Sequence, residues 1–393
     1  MVGKPALDTT AMQAGPTLDQ LAADPHAHLA KLRARNPVSW VAAIGGWLVT
    51  DRASALTVLH DPLTFTVDDS RFSTARVVGR SMLSTDGDEH ARHRQPFVVP
   101  FRRRRVEEQF AAPIDRRLAA LVGKVEGDGA AELRVALAGP LAASVVADSL
   151  GLDGDDPDIV ERLLAWYGDI VASVAGVAVG RPLTAQGADS MTALAAALAP
   201  VLAREGHSLL GDAVRLGGLS AAESVSDAAV VMFGGIETTE AMILNAVWFV
   251  LTAPGARDDL RVDRGLVAAA VEESLRLEPA AAVVDRYATC DVELAGAPIQ
   301  AGDLVVVSLA GANRDPAEFP DPDRFDLRRV NLRRQLAFAA GPHVCLGMDL
   351  ARLEAIRTLD MLLDRFPRLA LAPGAPAPSG LVFRKPERLP VRW

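Results

Sequence analysis

The chain has 393 residues, of which half are hydrophobic and 23% are charged, and its formal net charge is −9. This composition excludes disordered and fibrous proteins, and the negative charge argues against a general nucleic-acid binder. The two cysteines, Cys290 and Cys345, cannot build a disulfide framework or a four-thiolate zinc site, and they fit a reducing cytosol. Residues 1–15 contain no apolar signal core, so we expect a soluble, cytoplasmic protein.

The first predicted elements lie in an N-terminal part, at about residues 30–85, that contains β-structure. Val38–Ala42 and Trp47–Thr50 are rich in strand-forming residues. Gly45 and Gly46 lie between these two runs and indicate the turn of a hairpin.

From Glu89 onward the apolar residues recur at helical spacing. Ser220 followed by Glu223 matches a capping box, which predicts that a long helix begins there. This helix carries two carboxylates, Glu237 and Glu240, within its most apolar stretch, which argues against a membrane anchor. The predicted helical blocks are 89–105, 106–125, 132–150, 157–176, 187–205, 223–252 and 264–277.

The C-terminal third returns to mixed structure. Short strands are predicted between Tyr287 and Val307, a turn-rich segment from Asn313 to Phe325, and a last helix from about Leu346 to Phe366. The sequence contains no internal repeat and no linker with the composition of a domain boundary. The prediction is therefore one fold, mainly α with a small β region.

The strongest local signal is the segment Phe338–Gly347, which precedes the last helix. Cys345 lies at a helix N-terminus, where the helix dipole and unpaired backbone N–H groups favour a thiolate. Gly341 and Gly347 carry no side chain, so a flat and bulky group can approach the backbone on both sides. Such a thiolate is a good ligand for one metal ion, and the alternative is a buried structural cysteine. Zinc is disfavoured because Cys290 is the only other thiol.

A second signal lies in the middle of the long helix. Gly234 and Gly235 should each cost about 1 kcal/mol relative to alanine, so a ligand against the backbone or a local widening of the helix is expected. Glu237 and Thr238 place a carboxylate beside a hydroxyl in an apolar helix, an arrangement suited to moving protons. The alternative is a packing face of small residues.

Three further signals have ordinary explanations when each is taken alone. Glu273 and Arg276 are an i, i+3 pair that is typical of a solvated helix face. Pro322–Phe325 is typical of a turn. His90 and Arg94 share one helix face and would usually be a surface basic cluster.

Taken together and in this order, these motifs resemble the cytochrome P450 family of haem-thiolate monooxygenases over nearly the whole chain. The segment 338–347 matches the family's haem-binding loop at every defining position, and Gly235–Thr239 matches its central-helix motif. Glu237 stands where many relatives carry aspartate, and Gly234 where many carry alanine. The resemblance implies a triangular, helix-rich prism around a buried haem. It also implies one domain over residues 1–393, with a helical core at about 89–277 and the haem-binding loop and last helix at 338–366.

The resemblance implies roles for individual residues. Cys345 would be the proximal iron ligand of haem b, Phe338 would pack beside its sulfur, and Gly347 would let the last helix approach it. The haem propionates would be bound by His90, Arg94, Arg286 and His343. A buried structural triad would be formed by Glu273, Arg276 and Arg324.

The resemblance also implies which residues form the distal side of the site, where O₂ and the substrate would bind. Thr238 would act where O₂ binds, and Glu237 would relay protons from solvent. Phe65–Ser81 and Val171–Pro182 would complete the pocket for an apolar substrate. That pocket would be lined by Val230, Phe233, Gly234, Ala282 and Val283.

The implied function is a monooxygenase that hydroxylates or epoxidises an apolar small molecule, such as a bacterial secondary metabolite. Electrons would come indirectly from NAD(P)H through a separate ferredoxin and reductase. Two alternatives stay open: a haem-thiolate enzyme with another outcome (desaturation, aryl coupling, rearrangement or peroxide use), and a haem-thiolate binding protein without catalysis. Glu237 and Thr238 weigh against peroxide use and against a sensor, because neither needs a proton-delivery pair.

One basic run, Arg102 to Arg105, is most simply a solvated face. The helix that carries His90 and Arg94 is predicted to end at this run, and that end should emerge near the face that bears Cys345. On a protein of negative net charge, a local cationic patch would steer an acidic ferredoxin to this face.

Overall fold

The computed structural model describes residues 15–178, 180–203, 210–211, 214 and 218–393. Within these residues the α-helices are α1 Leu18–Ala23, α2 His26–Arg35, α3 Arg52–His60, α4 Ser73–Val78, α5 Gly87–Val98, α6 Arg103–Val125, α7 Gly139–Leu150, α8 Pro157–Ala178, α9 Ala185–Leu202, α10 Ala221–Thr252, α11 Ala256–Val262, α12 Val267–Leu277, α13 Leu309–Ala312 and α14 Met348–Arg365. The strands are β1 Val38–Val41, β2 Gly46–Val49, β3 Phe65–Thr66, β4 Ala130–Glu132, β5 Val283–Ala288, β6 Val292–Leu294, β7 Ala297–Ile299, β8 Leu304–Ser308, β9 Ala370–Leu371 and β10 Pro390–Arg392.

The largest sheet joins strands from residues 38–66 with strands from residues 283–308, in the order β1-β2-β8-β5-β3. The predicted hairpin is confirmed, because β1 and β2 pair antiparallel with Trp40 opposite Trp47. Strand β2 then pairs parallel with β8, and β8 pairs antiparallel with β5. The buried valines of these strands, such as Val49 and Val305, form an apolar cluster separate from the helical core.

Helix α10 runs through the helical core and contacts α7, α9, α12 and α14. The predicted capping box is confirmed: the Ser220 hydroxyl accepts from the Glu223 backbone N–H, and the Glu223 carboxylate accepts from the Ser220 N–H at 2.8 Å. The helix is long and apolar enough to span a membrane, but 61% of its most apolar window is buried in the protein. That degree of burial is typical of a core helix.

Two of the predicted helix boundaries are wrong. The block predicted at 89–105 ends earlier, because α5 stops at Val98 and Phe101 turns into the core with 6% exposure. Arg103 therefore begins α6 instead of ending α5. The block predicted at 132–150 begins at the last residue of β4 and includes a π-helical turn, Arg134–Ala138, before α7 begins. Part of the block at 187–205 lies outside the described residues.

Candidate active site

The segment before α14 folds into a tight loop. The Cys345 backbone N–H donates to the Phe338 carbonyl oxygen at 2.9 Å, and both Ala339 and Gly341 have positive φ values, of 56° and 72°. A Cβ atom on Gly341 would lie 2.1 Å from the Leu59 carbonyl oxygen. Glycine is therefore required at position 341 both by its conformation and by its packing against α3.

The Cys345 side chain has accessible surface, although protein atoms surround it densely on its other sides. Burial raises the pKa of the Cys345 thiol, and the Gly347 N–H and the charges of Arg94 and Arg352 act in the opposite direction. The net upward shift differs from the sequence prediction, in which the helix terminus alone favoured the thiolate. A metal cation bound to the sulfur would favour the thiolate and so lower the pKa of Cys345.

Two arginines, of which Arg286 is buried and Arg94 is half-buried, lie near this loop without a carboxylate partner. Arg94 Nη2 donates to the Val344 carbonyl oxygen at 2.5 Å, and Arg286 Nη1 donates to the Asp285 carbonyl oxygen at 2.7 Å. Burial lowers the pKa of both arginines. Among the described residues neither guanidinium has a carboxylate oxygen within 4.0 Å. Buried cations without counter-charges indicate a site for an anionic group.

Two histidines are also brought together here. The rings of His90 and His343 are 4.3 Å apart, and His90 Nε2 is buried without a hydrogen-bond partner. Burial, with the nearby positive charges, lowers the pKa of His90 to about 4. His343 Nε2 is 2.8 Å from Asp86, whose carboxylate also accepts from the Thr66 hydroxyl and the Val67 N–H. Burial opposes ionisation of Asp86, but these hydrogen bonds lower its pKa to about 2.

Asp86 is a residue that sequence reasoning missed. Its signal was present, because it immediately precedes α5 and lies four residues before His90. An acidic residue at that position is common for helix capping alone, so nothing in the sequence pattern connected it with the loop that carries His343.

The two glycines in α10 have different environments. A Cβ atom on Gly235 would lie 2.6 Å from Val146 Cγ2, so this glycine lets α7 and α10 pack closely. Gly234 is exposed, and a Cβ atom there would have no neighbour within 4 Å. The Thr238 hydroxyl donates to the Gly234 carbonyl oxygen. The structure thus combines both alternatives weighed from the sequence, a packing face at 235 and open space at 234.

The acid of α10 lies in a cluster of charges. Glu237 Oε2 accepts from the Tyr167 hydroxyl at 2.9 Å, and Glu237 Oε1 is 2.7 Å from Lys385 Nζ. Lys385 also contacts Glu240, which accepts from Arg134 Nε at 2.8 Å. Burial and the Glu237 carboxylate raise the pKa of Tyr167, so its phenol stays neutral and donates. Of these five residues, the sequence analysis named Glu237 and Glu240 and gave a functional role only to Glu237.

The predicted pocket residues fall into two groups. Phe233 lies in an aromatic row, with its ring 6.4 Å from Tyr167 and 5.6 Å from Phe383, and Val230 is half-buried one turn earlier along α10. Ala282 is only 3% exposed and packs, with half-buried Val283, in a small core cluster beside the sheet. The role of Ala282 and Val283 as pocket walls stays a prediction.

One of the two segments predicted to complete the pocket packs against the helix whose end belongs to the other. Helix α4 lies within the segment 65–81 and packs against α8, whose C-terminal end begins the segment 171–182. Position 179 lies outside the described residues.

The Glu273–Arg276 pair is buried, so the alternative of a solvated helix face is wrong. Both side chains are 0% exposed, and Arg276 Nε is 2.7 Å from Glu273 Oε2. The prediction that the Arg324 side chain completes the triad is also wrong. Arg324 is exposed and offers only its carbonyl oxygen to Arg276, whereas Arg329 Nε is 3.0 Å from Glu273 Oε1. The turn after Phe325 carries the chain back so that residue 329 reaches the carboxylate.

We expect Arg329→Ala to lower the free energy of unfolding by about 3 kcal/mol, because it removes one partner of a buried charge cluster. Arg324→Ala is the matched control and should change stability by less than about 0.5 kcal/mol, because its side chain lies in solvent. Denaturant unfolding of both variants checks this. Equal losses in the two variants would show that the ion pair of Arg329 is not important.

The basic run at the start of α6 is partly neutralised within its own helix. Arg103 Nε is 2.9 Å from Glu107, Arg104 Nε is 2.7 Å from Glu108, and Arg105 lies 3.8 Å from Glu108. All these side chains are largely exposed. The run is therefore a weaker cationic patch than its sequence suggested.

The basic run does lie near the Cys345 loop. Phe101, just before it, is 3.9 Å from the position of a Cβ atom on Gly347, and the charge of Asp349 acts on Arg103. No ion-pair partner for Arg102 is found among the described residues. This 3.9 Å distance is an ordinary van der Waals contact. A side chain at position 347 would therefore not clash with the described protein atoms at its Cβ.

Comparison with known proteins decides the family. Residues 257–378 match the model of the family "Cytochrome P450". Over 95% of its length the chain is 36% identical to nocardicin C N-oxygenase of Nocardia uniformis subsp. tsuyamanensis, of which it covers 97%. The chain belongs to the cytochrome P450 family. It is also 35% identical to the cytochrome P450 monooxygenase PikC of Streptomyces venezuelae, over 95% of this chain and 92% of that protein.

Solved P450 structures share the fold. P450BioI, solved with an acyl carrier protein that bears a hexadecenoic acid, superposes with a TM-score of 0.85 at 28% identity, over 96% of this chain and 100% of that one. The hydroxylase HmtN of himastatin biosynthesis has a TM-score of 0.82 at 30% identity, over 96% and 99%. The predicted P450 fold is confirmed, and the protein is a P450 monooxygenase with the family's haem and O₂ chemistry.

The residues around the loop fit a haem. Haem has two carboxylates. The half-buried cation Arg94, the buried cation Arg286 and the unpartnered Nε2 of His90 are what two buried carboxylates require. Cys345 supplies a soft sulfur ligand with an accessible face. Phe338 lies beside this loop with its ring 4.5 Å from the guanidinium of Arg352.

Proposed function

We propose that this P450 inserts one oxygen atom from O₂ into an apolar small molecule, by hydroxylation or epoxidation. Cys345 holds the haem iron, and the propionates bind to His90, Arg94, Arg286 and His343. When bound, the haem supplies the oxygen activation that thiolate ligation favours. The observation that carries the proposal is an accessible Cys345 thiol near two arginines, Arg94 half-buried and Arg286 buried, that have no carboxylate partner.

The residues of α10 handle protons in this proposal. Thr238 has a hydroxyl beside the open space at Gly234, and the preceding residue, Glu237, has a side chain that is 18% exposed. An acid and an alcohol on consecutive residues pass protons from solvent to the site where O₂ reacts. Such a pair has no task in a protein that only binds a ligand.

A secondary metabolite is the proposed substrate class. Among similar proteins are the mycinamicin IV hydroxylase/epoxidase of Micromonospora griseorubida and pentalenic acid synthase of Streptomyces avermitilis, each 33% identical over more than 90% of this chain. The apolar row of Phe233 and Phe383 beside Gly234 also favours an apolar ligand. We further propose that residues 1–393 act as one domain in the cytoplasm.

The test is a reconstituted reaction. The holoprotein is first screened for apolar metabolites that shift the haem spin state, and each hit is incubated with NADH, a surrogate ferredoxin and its reductase under isotopically labelled O₂. We expect a product that contains one labelled oxygen atom and requires NADH. Products that consistently lack the label would point to desaturation or coupling, and NADH consumption that no ligand stimulates would favour a binding protein.

We propose that electrons arrive through a separate ferredoxin on the Cys345 face, and that Arg102 to Arg105 help to position it. The double variant Arg102→Glu/Arg105→Glu should slow reduction by ferredoxin about tenfold at low salt. The effect should shrink as salt rises, since exposed charges are screened over about 8–10 Å. Substrate affinity should stay the same.

Stopped-flow reduction rates at several ionic strengths measure this effect. Arg261→Glu, which reverses an exposed arginine on α11, is the control for overall charge. Rates that depend on neither the variants nor salt would leave the run as an ordinary solvated surface.

A further inference from the structure

A second group of metal-ligating side chains lies where α5 contacts α10, apart from the Cys345 loop. Glu89 and His93 come from one face of α5, four residues apart, and Glu223 comes from the first turn of α10. One nitrogen and two carboxylate oxygens of these three residues lie within 4.8 Å of one another. We call them the α5–α10 cluster, and none of the three has a role in the function proposed above.

The separations within the cluster suit a small divalent ion. His93 Nε2 is 3.4 Å from Glu89 Oε1 and 4.0 Å from Glu223 Oε1. Two ligand atoms that share a tetrahedral Zn²⁺ at about 2.0–2.1 Å lie about 3.4 Å apart. The first pair is therefore already at the required separation. The glutamates can close the remaining distances, because their side chains are 40% and 31% exposed.

The histidine is oriented by a buried carboxylate behind it. Its side chain is only 1% exposed, and Nδ1 lies 2.7 Å from Asp227 Oδ2. Asp227 is itself held, because its other oxygen accepts from the Met82 backbone N–H at 2.8 Å. A carboxylate that accepts from Nδ1–H leaves Nε2 unprotonated, with its lone pair directed at the two glutamates. Carboxylate, histidine and metal ion in a row is a common arrangement in metalloproteins.

Glu223 is oriented by the capping box of α10. Its Oε2 accepts from both the backbone N–H and the hydroxyl of Ser220, each at 2.8 Å. These bonds leave Oε1 as the oxygen on the side of His93. Two of the three ligands are therefore held by groups outside the cluster, so little side-chain entropy is lost when an ion binds.

A cationic group already lies among the ligand atoms. Arg92 Nη2 is 2.8 Å from Glu89 Oε1 and also contacts Glu223 Oε1. The same nitrogen is 3.4 Å from His93 Nε2. The three ligand atoms thus converge on one point that favours positive charge. Exposed ion pairs contribute little to stability, so the long arginine side chain can turn into solvent when a stronger cation arrives.

We propose that the α5–α10 cluster binds a divalent transition-metal ion of the class of Zn²⁺. Glu89, His93 and Glu223 are the protein ligands, water completes the tetrahedron, and the head group of Arg92 moves into solvent. The two carboxylates balance the charge of the ion. A nitrogen ligand with only two carboxylates favours zinc over Mg²⁺ and Ca²⁺, which prefer six or more oxygen ligands. The bound ion ties α5 to the first turn of α10.

Calorimetric titration of the holoprotein with ZnCl₂, in a buffer that does not bind metal, tests the proposal. The Cys290→Ala protein is used throughout as the parent, because the exposed Cys290 thiol can also bind zinc. We expect one zinc ion per chain and a thermal unfolding midpoint that rises with zinc concentration. Arg92→Ala removes the competing cation and should bind zinc about tenfold more tightly.

Three variants test the ligands and their support. His93→Asn should abolish binding, and Asp227→Asn should weaken it about 10–100-fold. Glu89→Gln should weaken it at least about tenfold while leaving the unfolding midpoint without zinc unchanged, because this side chain is partly in solvent. That variant separates the loss of a ligand from a loss of folding. His60→Asn replaces an exposed histidine of α3 and is the control for unspecific binding.

Two outcomes would overturn the proposal. If the parent protein binds no zinc, Arg92 is the permanent occupant of the cluster, even where Arg92→Ala binds the ion. If binding is unchanged in both His93→Asn and Glu89→Gln, the ion lies elsewhere on the protein. The titrations need no substrate and no redox partner, so they are independent of the proposed oxygenase activity.

Discussion

Cys345→Ser should abolish the red-shifted carbon-monoxide difference band of the reduced protein and reduce product formation below detection. Serine is a harder and weaker donor than a thiolate, so it does not give the iron the same electron density. The loop itself should survive, because its hydrogen bond to Phe338 comes from the backbone N–H of residue 345 and its turn depends on Gly341. The variant therefore tests ligation more than folding.

Cys290→Ala is the matched control. Cys290 is the other cysteine in the sequence, and it lies exposed just after β5. Its replacement should leave the band and the activity intact. A band that survives in Cys345→Ser would mean that another residue binds the iron. It would contradict the assignment of Cys345 as the iron ligand.

Sequence patterns predicted the features that arise from local chemistry. The capping box at Ser220, the hairpin with Trp40 opposite Trp47, and the last helix all depend on residues that are close in the chain. The loop that carries Cys345 was found for the same reason, since its glycines and its cysteine lie within ten residues.

Contacts between distant segments were the part that sequence patterns did not predict. Lys385 reaches Glu237 and Glu240 across about 145 positions, and its spacing from them contains no signal. Arg329 was missed for a smaller reason: Arg324 and Arg329 are both in the turn after α13, and only the path of that turn decides which one meets Glu273. Ala282 is buried in a cluster beside the sheet, and its small apolar side chain suits a core and a pocket wall equally.

For Thr238, too, the sequence predicts the local feature and the structure adds contacts with distant residues. The sequence placed a hydroxyl next to an acid, and the structure adds that this hydroxyl donates to the Gly234 carbonyl oxygen while the acid is held by Lys385 and Tyr167. The hydroxyl and the carboxylate are therefore both engaged elsewhere and must exchange partners before a proton can pass between them. Loss of the hydroxyl should disturb proton delivery without touching the Cys345 thiolate.

Thr238→Ala should accordingly retain ligand binding and NADH oxidation, while product formed per NADH falls about tenfold and hydrogen peroxide takes up the difference. Thr238→Ser keeps a hydroxyl and should restore most of the coupling. Thr239→Ala, one position along α10 where the side chain is buried, should couple like the parent enzyme. Product, peroxide and NADH measured in the same reaction decide the matter. If Thr238→Ala makes product at the parental ratio, the Thr238 hydroxyl is not needed for proton delivery. The proton must then come from another source, such as the substrate itself.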